Sequence, residues 1–115
     1  MISSDILRGY NDLFILSCLL DGDSYGYEIS KQITNLSGGM HTIKETTLYS
    51  AFNRLEKNGY IVSYYGEETF GRRRTYYHLT NAGLAYYMKK CAEWTETKTL
   101  VSHFIKERVC IGNHH

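Results

Sequence analysis

Apolar residues fall along the chain in blocks whose spacing changes character several times. Between Asp5 and Leu20, Ile6, Leu7, Tyr10, Leu13, Phe14, Ile15, Leu16, Leu19 and Leu20 occupy more than one helical face. That predicts a helix covered from two sides, one of which another chain can supply. Asp21-Gly22-Asp23-Ser24 then reads as a turn, with Ser24 placed to cap a second helix from Tyr25 to about Leu36. Ile29, Ile33 and Leu36 give that helix one apolar stripe, and Ser37-Gly38-Gly39 closes it. A third helix is predicted after Ile43-Lys44, where Leu48, Phe52 and Leu55 repeat at i, i+4 and i+7 and Gly59 supplies the stop. Its other face carries Thr46, Thr47, Tyr49, Ser50, Asn53 and Arg54, with the carboxylates of Glu45 and Glu56 near its ends.

Two β-rich runs follow, Tyr60 to Tyr65 and Arg74 to Leu79, separated by the polar stretch Gly66 to Arg73. They predict a hairpin with a long basic tip carrying Arg72 and Arg73. From Thr80 to about Val109 no Pro occurs and no Gly after Gly83. Leu84, Tyr87, Cys91, Trp94, Val101 and Ile105, with Lys98 in the gap, alternate spacings of three and four, which is a heptad seam. About thirty residues projecting beyond so small a domain cannot bury that seam at home. It therefore predicts a dimer interface through Leu84, Tyr87, Cys91, Val101 and Ile105.

Charge sharpens the picture. The net charge is only +1 over 115 residues, but residues 1–40 hold two basic against five acidic side chains, and residues 41–80 hold six against four. An anion site belongs in the middle third, where Arg72, Arg73 and Arg74 are consecutive. Hydroxyls, an amide and a guanidinium on the third helix are groups that bond phosphates and base edges. The three cysteines, Cys18, Cys91 and Cys110, are far apart and lack His or Cys neighbours at ligand spacing. Neither a disulfide framework nor a metal site is expected, and no cofactor motif occurs. His41, His78 and His103 show no partner pattern, and the hairpin tyrosines Tyr64, Tyr65, Tyr76 and Tyr77 are expected to face the core. An enzyme lacks its parts: no nucleophile stands beside a base and no glycine loop cradles phosphate. The start of the chain lacks the order of a signal peptide and no run approaches membrane-spanning length, so the expected location is the cytoplasm. Gly112 to His115 reads as the start of a polyhistidine tag.

Three helices, a hairpin and a long helix make a mainly α protein with a small β-hairpin. The order is that of a winged helix-turn-helix domain, residues 1–79, followed by a dimerisation helix, residues 80–111, with residues 1–20 also contributing to the dimer. In that fold the third helix enters the major groove and the hairpin reaches an adjacent backbone or minor groove. The rival reading is a protein-interaction or single-strand nucleic-acid-binding module that uses the tyrosines and Arg72 to Arg74.

The runs YGYEISKQI from Tyr25, TTLYSAFNRLEKNGYI from Thr46 and GRRRTYYHLTNAG from Gly71 resemble the PadR transcriptional regulators in order and spacing. The resemblance implies a homodimeric repressor of a palindromic double-stranded DNA operator. It implies recognition contacts from Thr46, Thr47, Tyr49, Ser50 and Asn53, second-helix contacts from Tyr27 and Lys31, and wing contacts from Arg72 and Arg73. The short chain with one C-terminal helix is similar to a small subfamily that includes a lactococcal multidrug-binding repressor. That similarity implies a planar aromatic effector held at the dimer centre by Trp94 and its symmetry mate, with Ile6, Gly9 and Leu13 lining the site. Lys98 stands where that subfamily has an acid, which points to neutral or anionic ligands.

Overall fold

The computed structural model describes residues 2–69 and 71–110; the side chains of residues 68, 69, 72, 107 and 110, and the tag-like 112–115, lie outside the described set. The helices are α1 (Ser4–Arg8), α2 (Asn11–Cys18), α3 (Gly26–Leu36), α4 (Glu45–Lys57), α5 (Asn81–Ser102) and α6 (Glu107–Cys110). The strands are β1 (Ser24–Tyr25), β2 (Ile61–Thr69) and β3 (Arg72–Leu79), in an antiparallel sheet of order β1-β3-β2. The protein is mostly helical with a small sheet, as the sequence pattern indicates.

Ile15, Leu16, Ile29, Leu48, Phe52, Leu55 and Ile61 form the dry centre of the core. They come from α2, α3, α4 and the start of β2, so the three-helix unit and the sheet close on one another. Tyr77 of β3 stacks on Phe52 with ring centroids 4.0 Å apart, and burial pushes its hydroxyl up to about 12. The turn between α3 and α4 passes through Gly38 and Gly39 at φ +65° and +82°, a left-handed pair that glycine adopts without Cβ strain.

Several boundaries depart from the sequence reading. The helix expected from Asp5 to Leu20 is two helices, because the chain turns at Gly9, where Tyr10 N–H bonds back to Leu7 O at 2.9 Å. Glycine disfavours continuation by about 1 kcal/mol relative to Ala. Ser24 does not cap α3. It pairs with Tyr77 in β1, so Tyr25 takes the N-cap position, and Ser24 Oγ donates to Glu28 at 2.5 Å. That added strand makes a three-stranded sheet of the expected hairpin. The long loop is also absent: the strands pair out to Thr69 and Arg72 across an irregularity between Tyr65 and Glu68, so Arg72 and Arg73 lie in β3. Only Tyr77 of the four hairpin tyrosines faces the core, while Tyr64 and Tyr65 are exposed.

The C-terminal helix ends at Ser102 instead of near Val109, which leaves Ile105 beyond it. The tight turns Phe104 N–H to Val101 O and Ile105 N–H to Ser102 O close it. Val101, Ser102, His103 and Phe104 are weak helix formers in succession. Thr95, Thr99 and Ser102 each donate a hydroxyl hydrogen bond to the carbonyl four residues back, which competes with the helical ladder. At its other end α5 is capped by Thr80, whose Oγ1 accepts from Gly83 N–H at 3.0 Å and donates to Gly59 O at 2.7 Å.

Candidate DNA-binding face and effector region

The α4 register decides which of its side chains can meet a ligand. Leu48, Ala51, Phe52 and Leu55 are buried, which turns Thr46, Thr47, Ser50 and Asn53 to solvent. Tyr49 is half exposed at 43%. Its ring meets Phe52 edge-on and its hydroxyl crowds Gly26, where a Cβ would lie 2.5 Å away. It is thus pinned between α3 and α4 with one edge outward. Arg54 is paired to Asp12 of α2 through one guanidinium nitrogen, and its side chain stays half exposed.

Tyr27 and Lys31 lie one turn apart on α3, both exposed, with the ammonium 6.0 Å from the ring centroid. Tyr27 and Tyr49 line one cleft of about 300 Å³ between α3 and α4, so these two side chains share one surface. Arg73 is exposed on β3 with its guanidinium 5.8 Å from the Tyr65 ring. Arg72 places its backbone opposite Thr69.

The outer face of the sheet carries contacts that the sequence pattern does not show. Arg74 stacks over Tyr25 at 4.3 Å, a cation–aromatic contact. Asp23 accepts from Tyr64 Oη at 2.5 Å and meets His78 Nδ1 at 2.7 Å, so His78 does have a partner. Those two hydrogen bonds, Tyr64 first, hold the Asp23 carboxyl below its ordinary value. His41 also has a partner, with Nε2 3.0 Å from Asn11 Oδ1. Cross-strand period two would have put Tyr64, Tyr76 and His78 on one face, but β1, which brings Asp23 and Tyr25, left no apolar alternation to read.

The residues implied for the effector are not gathered in one chain. Trp94, 45% exposed, meets Tyr10 edge-on at 5.6 Å, a contact absent from the sequence reading. Ile6 is exposed, and nothing lies within 4 Å of where a Gly9 Cβ would be. Lys98 is exposed one turn beyond Trp94. Leu13 instead lines an apolar cavity of about 160 Å³ between α2 and α3, with Phe14, Cys18 and Leu36. Burial pushes the Cys18 thiol up to about 11, which leaves almost no thiolate near neutrality. Of the seam, Tyr87 and Cys91 are half-buried, with Tyr87 packed against the chain's own core. Leu84, Val101 and Ile105 are exposed. No group of three potential metal ligands occurs among the described residues.

Residues 15–89 match the model of the transcriptional regulator PadR-like family. The chain is 44% identical over 106 residues to an uncharacterised protein of Lysinibacillus sphaericus, covering 92% of this chain and 97% of that one. Among solved structures, a transcriptional regulator from Clostridium thermocellum is 61% identical with a TM-score of 0.86, over 92% of this chain and all of the other. A PadR family transcription regulator from Clostridium difficile is 39% identical with a TM-score of 0.74, over 85% of this chain and all of the other.

Proposed function

Because the chain belongs to the PadR-like family of transcriptional regulators, which are not enzymes, we propose that it is a DNA-binding repressor. It acts as a homodimer on a palindromic operator and is released by a planar aromatic effector at the dimer centre. The observation that carries the DNA-binding part is the outward face of α4. Four short polar side chains, Thr46, Thr47, Ser50 and Asn53, stand there over a fully buried opposite face. They hydrogen-bond base edges without bulk that would hold the helix off the groove floor. Tyr27, Lys31 and Tyr49 of the helical unit, with Arg72 and Arg73 of the wing, meet sugar and phosphate. The effector part rests on Trp94, which is half exposed and meets Tyr10 of its own chain edge-on, as an indole that can stack a planar ligand at the dimer centre. We place the protein in the cytoplasm with the DNA; no helix among the described residues is long and apolar enough to cross a membrane.

The test is selection of a duplex site from a random pool, followed by anisotropy titrations of variants. Asn53→Ala and Thr47→Ala should change the preferred sequence, each lost base contact costing about 1–3 kcal/mol of discrimination. Arg72→Ala and Arg73→Ala should weaken all sequences and flatten the salt dependence. Equal loss on selected and random DNA in both classes would overturn this division of roles. A wild-type preference for single strands would favour the interaction-module reading.

A further inference from the structure

Cations line the flank of α4 opposite α3 and the sheet, and they fall outside the contact set given above. At about 100° per residue, Thr47, Ala51 and Arg54 lie on one flank of α4 and Tyr49 and Glu56 on the other, with Thr46, Ser50 and Asn53 between. The Tyr49 flank faces α3 across the shared cleft, and Glu56 accepts from Ser63 N–H and Oγ of β2 at 2.9 and 2.7 Å. The Thr47 flank faces α1. Two clefts of about 440 and 270 Å³ run along it and share Arg8, Asn11 and Thr47. Lys44 lines the first and Arg54 the second, and no carboxylate is among the described residues lining either.

The floor of this double cleft is built. Asn11, 8% exposed, is held by His41 at 3.0 Å, and Arg54 is held by Asp12, whose side chain is 15% exposed. Arg8 is different. Its guanidinium meets Asp5 at 2.9 Å, but both side chains are largely exposed, at 75% and 83%, and a solvated pair of this kind contributes little. Arg8 can therefore leave Asp5 for a stronger anion.

We propose that Arg8 and Lys44 form a second phosphate clamp, which grips the DNA strand bordering the major groove on the side away from the wing. The inference rests on the reading of α4 as the helix in that groove. A helix about 10–12 Å across fills a groove about 12 Å wide, so both of its flanks meet phosphates. On one flank stand Tyr27, Lys31 and the wing; on the other, the concave surface rich in cations and hydroxyls. Asp5 then competes with DNA for Arg8, and the five-residue α1, separated from α2 at Gly9, carries both partners of that exchange.

The experiment measures binding of the whole protein to a random-sequence duplex of about three helical turns, across a range of salt. Sequence is irrelevant to the readout because phosphate contacts are uniform. Arg8→Ala and Lys44→Ala each remove one contact per protomer and should make the log–log salt slope shallower by about 0.9 per lost contact, about 1.8 for the dimer, which is about sixtyfold in affinity at about 0.1 M salt. Asp5→Asn should tighten binding. Lys89→Ala removes the same charge from an exposed position on α5 and should leave the slope unchanged. A slope unaltered by Arg8→Ala and Lys44→Ala, or lowered equally by Lys89→Ala, overturns the clamp. A wild-type protein without duplex affinity overturns the DNA-binding reading itself.

Discussion

At the scale of single residues, two glycines with opposite surroundings show what the sequence alone leaves undetermined. A Cβ on Gly83 would lie 2.0 Å from Tyr60 O and 2.7 Å from Leu79 Cδ1, because α5 lands directly on the backbone where β2 begins. Gly83→Ala should cost about 1–3 kcal/mol as the helix is pushed off that contact. Gly9 has φ −75° and nothing near its would-be Cβ. Gly9→Ala should instead stabilise by about 0.4–1 kcal/mol through the unfolded chain. Thermal unfolding of the two variants checks both signs. Loss of stability in Gly9→Ala would mean that the turn between α1 and α2 needs more than an open αR position.

At the scale of elements, β1 is only two residues long, yet it joins the wing to the helical unit. The Asp23 contacts to Tyr64 and His78 bridge its approach to β2 and β3, and Arg74 over Tyr25 adds a second tie. A carboxyl held below its ordinary value, about 3.9 unfolded, contributes stability that is present above that value. The contribution is lost as pH falls through the depressed folded value. Asp23→Asn should therefore lower the melting temperature slightly at neutral pH, and its difference from wild type should shrink in acid. The effect is small because the site is open to solvent. A difference that stays constant down to pH values below the folded pKa would show that the carboxylate charge is not what holds the wing.

At the scale of the whole molecule, an extent of 60 × 28 × 22 Å reflects one helix leaving the body. The first half of α5 packs on the domain through Tyr86 and Tyr87, with Tyr86 stacked on Tyr60 at 4.2 Å. From Ala92 to Lys106 every residue is exposed, including Trp94, Leu100, Val101, Phe104 and Ile105. A second copy is the proposed cover for these residues. Val101→Asp would then bury an unpaired charge at about 3–5 kcal/mol and yield a monomer in sedimentation. A wild-type monomer at micromolar concentration would sink the dimer. In the dimer, the only tryptophan of the chain should be quenched by planar dyes, neutral or anionic ones above cationic ones because of Lys98. To release DNA, such a ligand must favour the subunit geometry that the operator disfavours.

The buried turn of α3 through Ile29 and Ile33, the Gly38-Gly39 turn, the buried face of α4 and its polar opposite were legible in the sequence, because local periodicity and turn chemistry specify them, whereas Leu36 at the end of the α3 stripe is exposed. The family was legible for the same reason, in three linked motifs. What needed the tertiary structure is everything made by residues distant in the chain. β1 exists because Ser24 and Tyr25 meet Tyr77 and Tyr76, and no two-residue window announces a strand. The paired run through Gly66 to Thr69 looked like a loop because polar residues with a mid-strand irregularity carry no alternation. Nothing next to Arg8 in the sequence marks it, and only folding sets α1 beside Thr47. Periodicity can say which face of an element is buried, but only the packed chain decides what that face is buried against and which distant cations border the face left open.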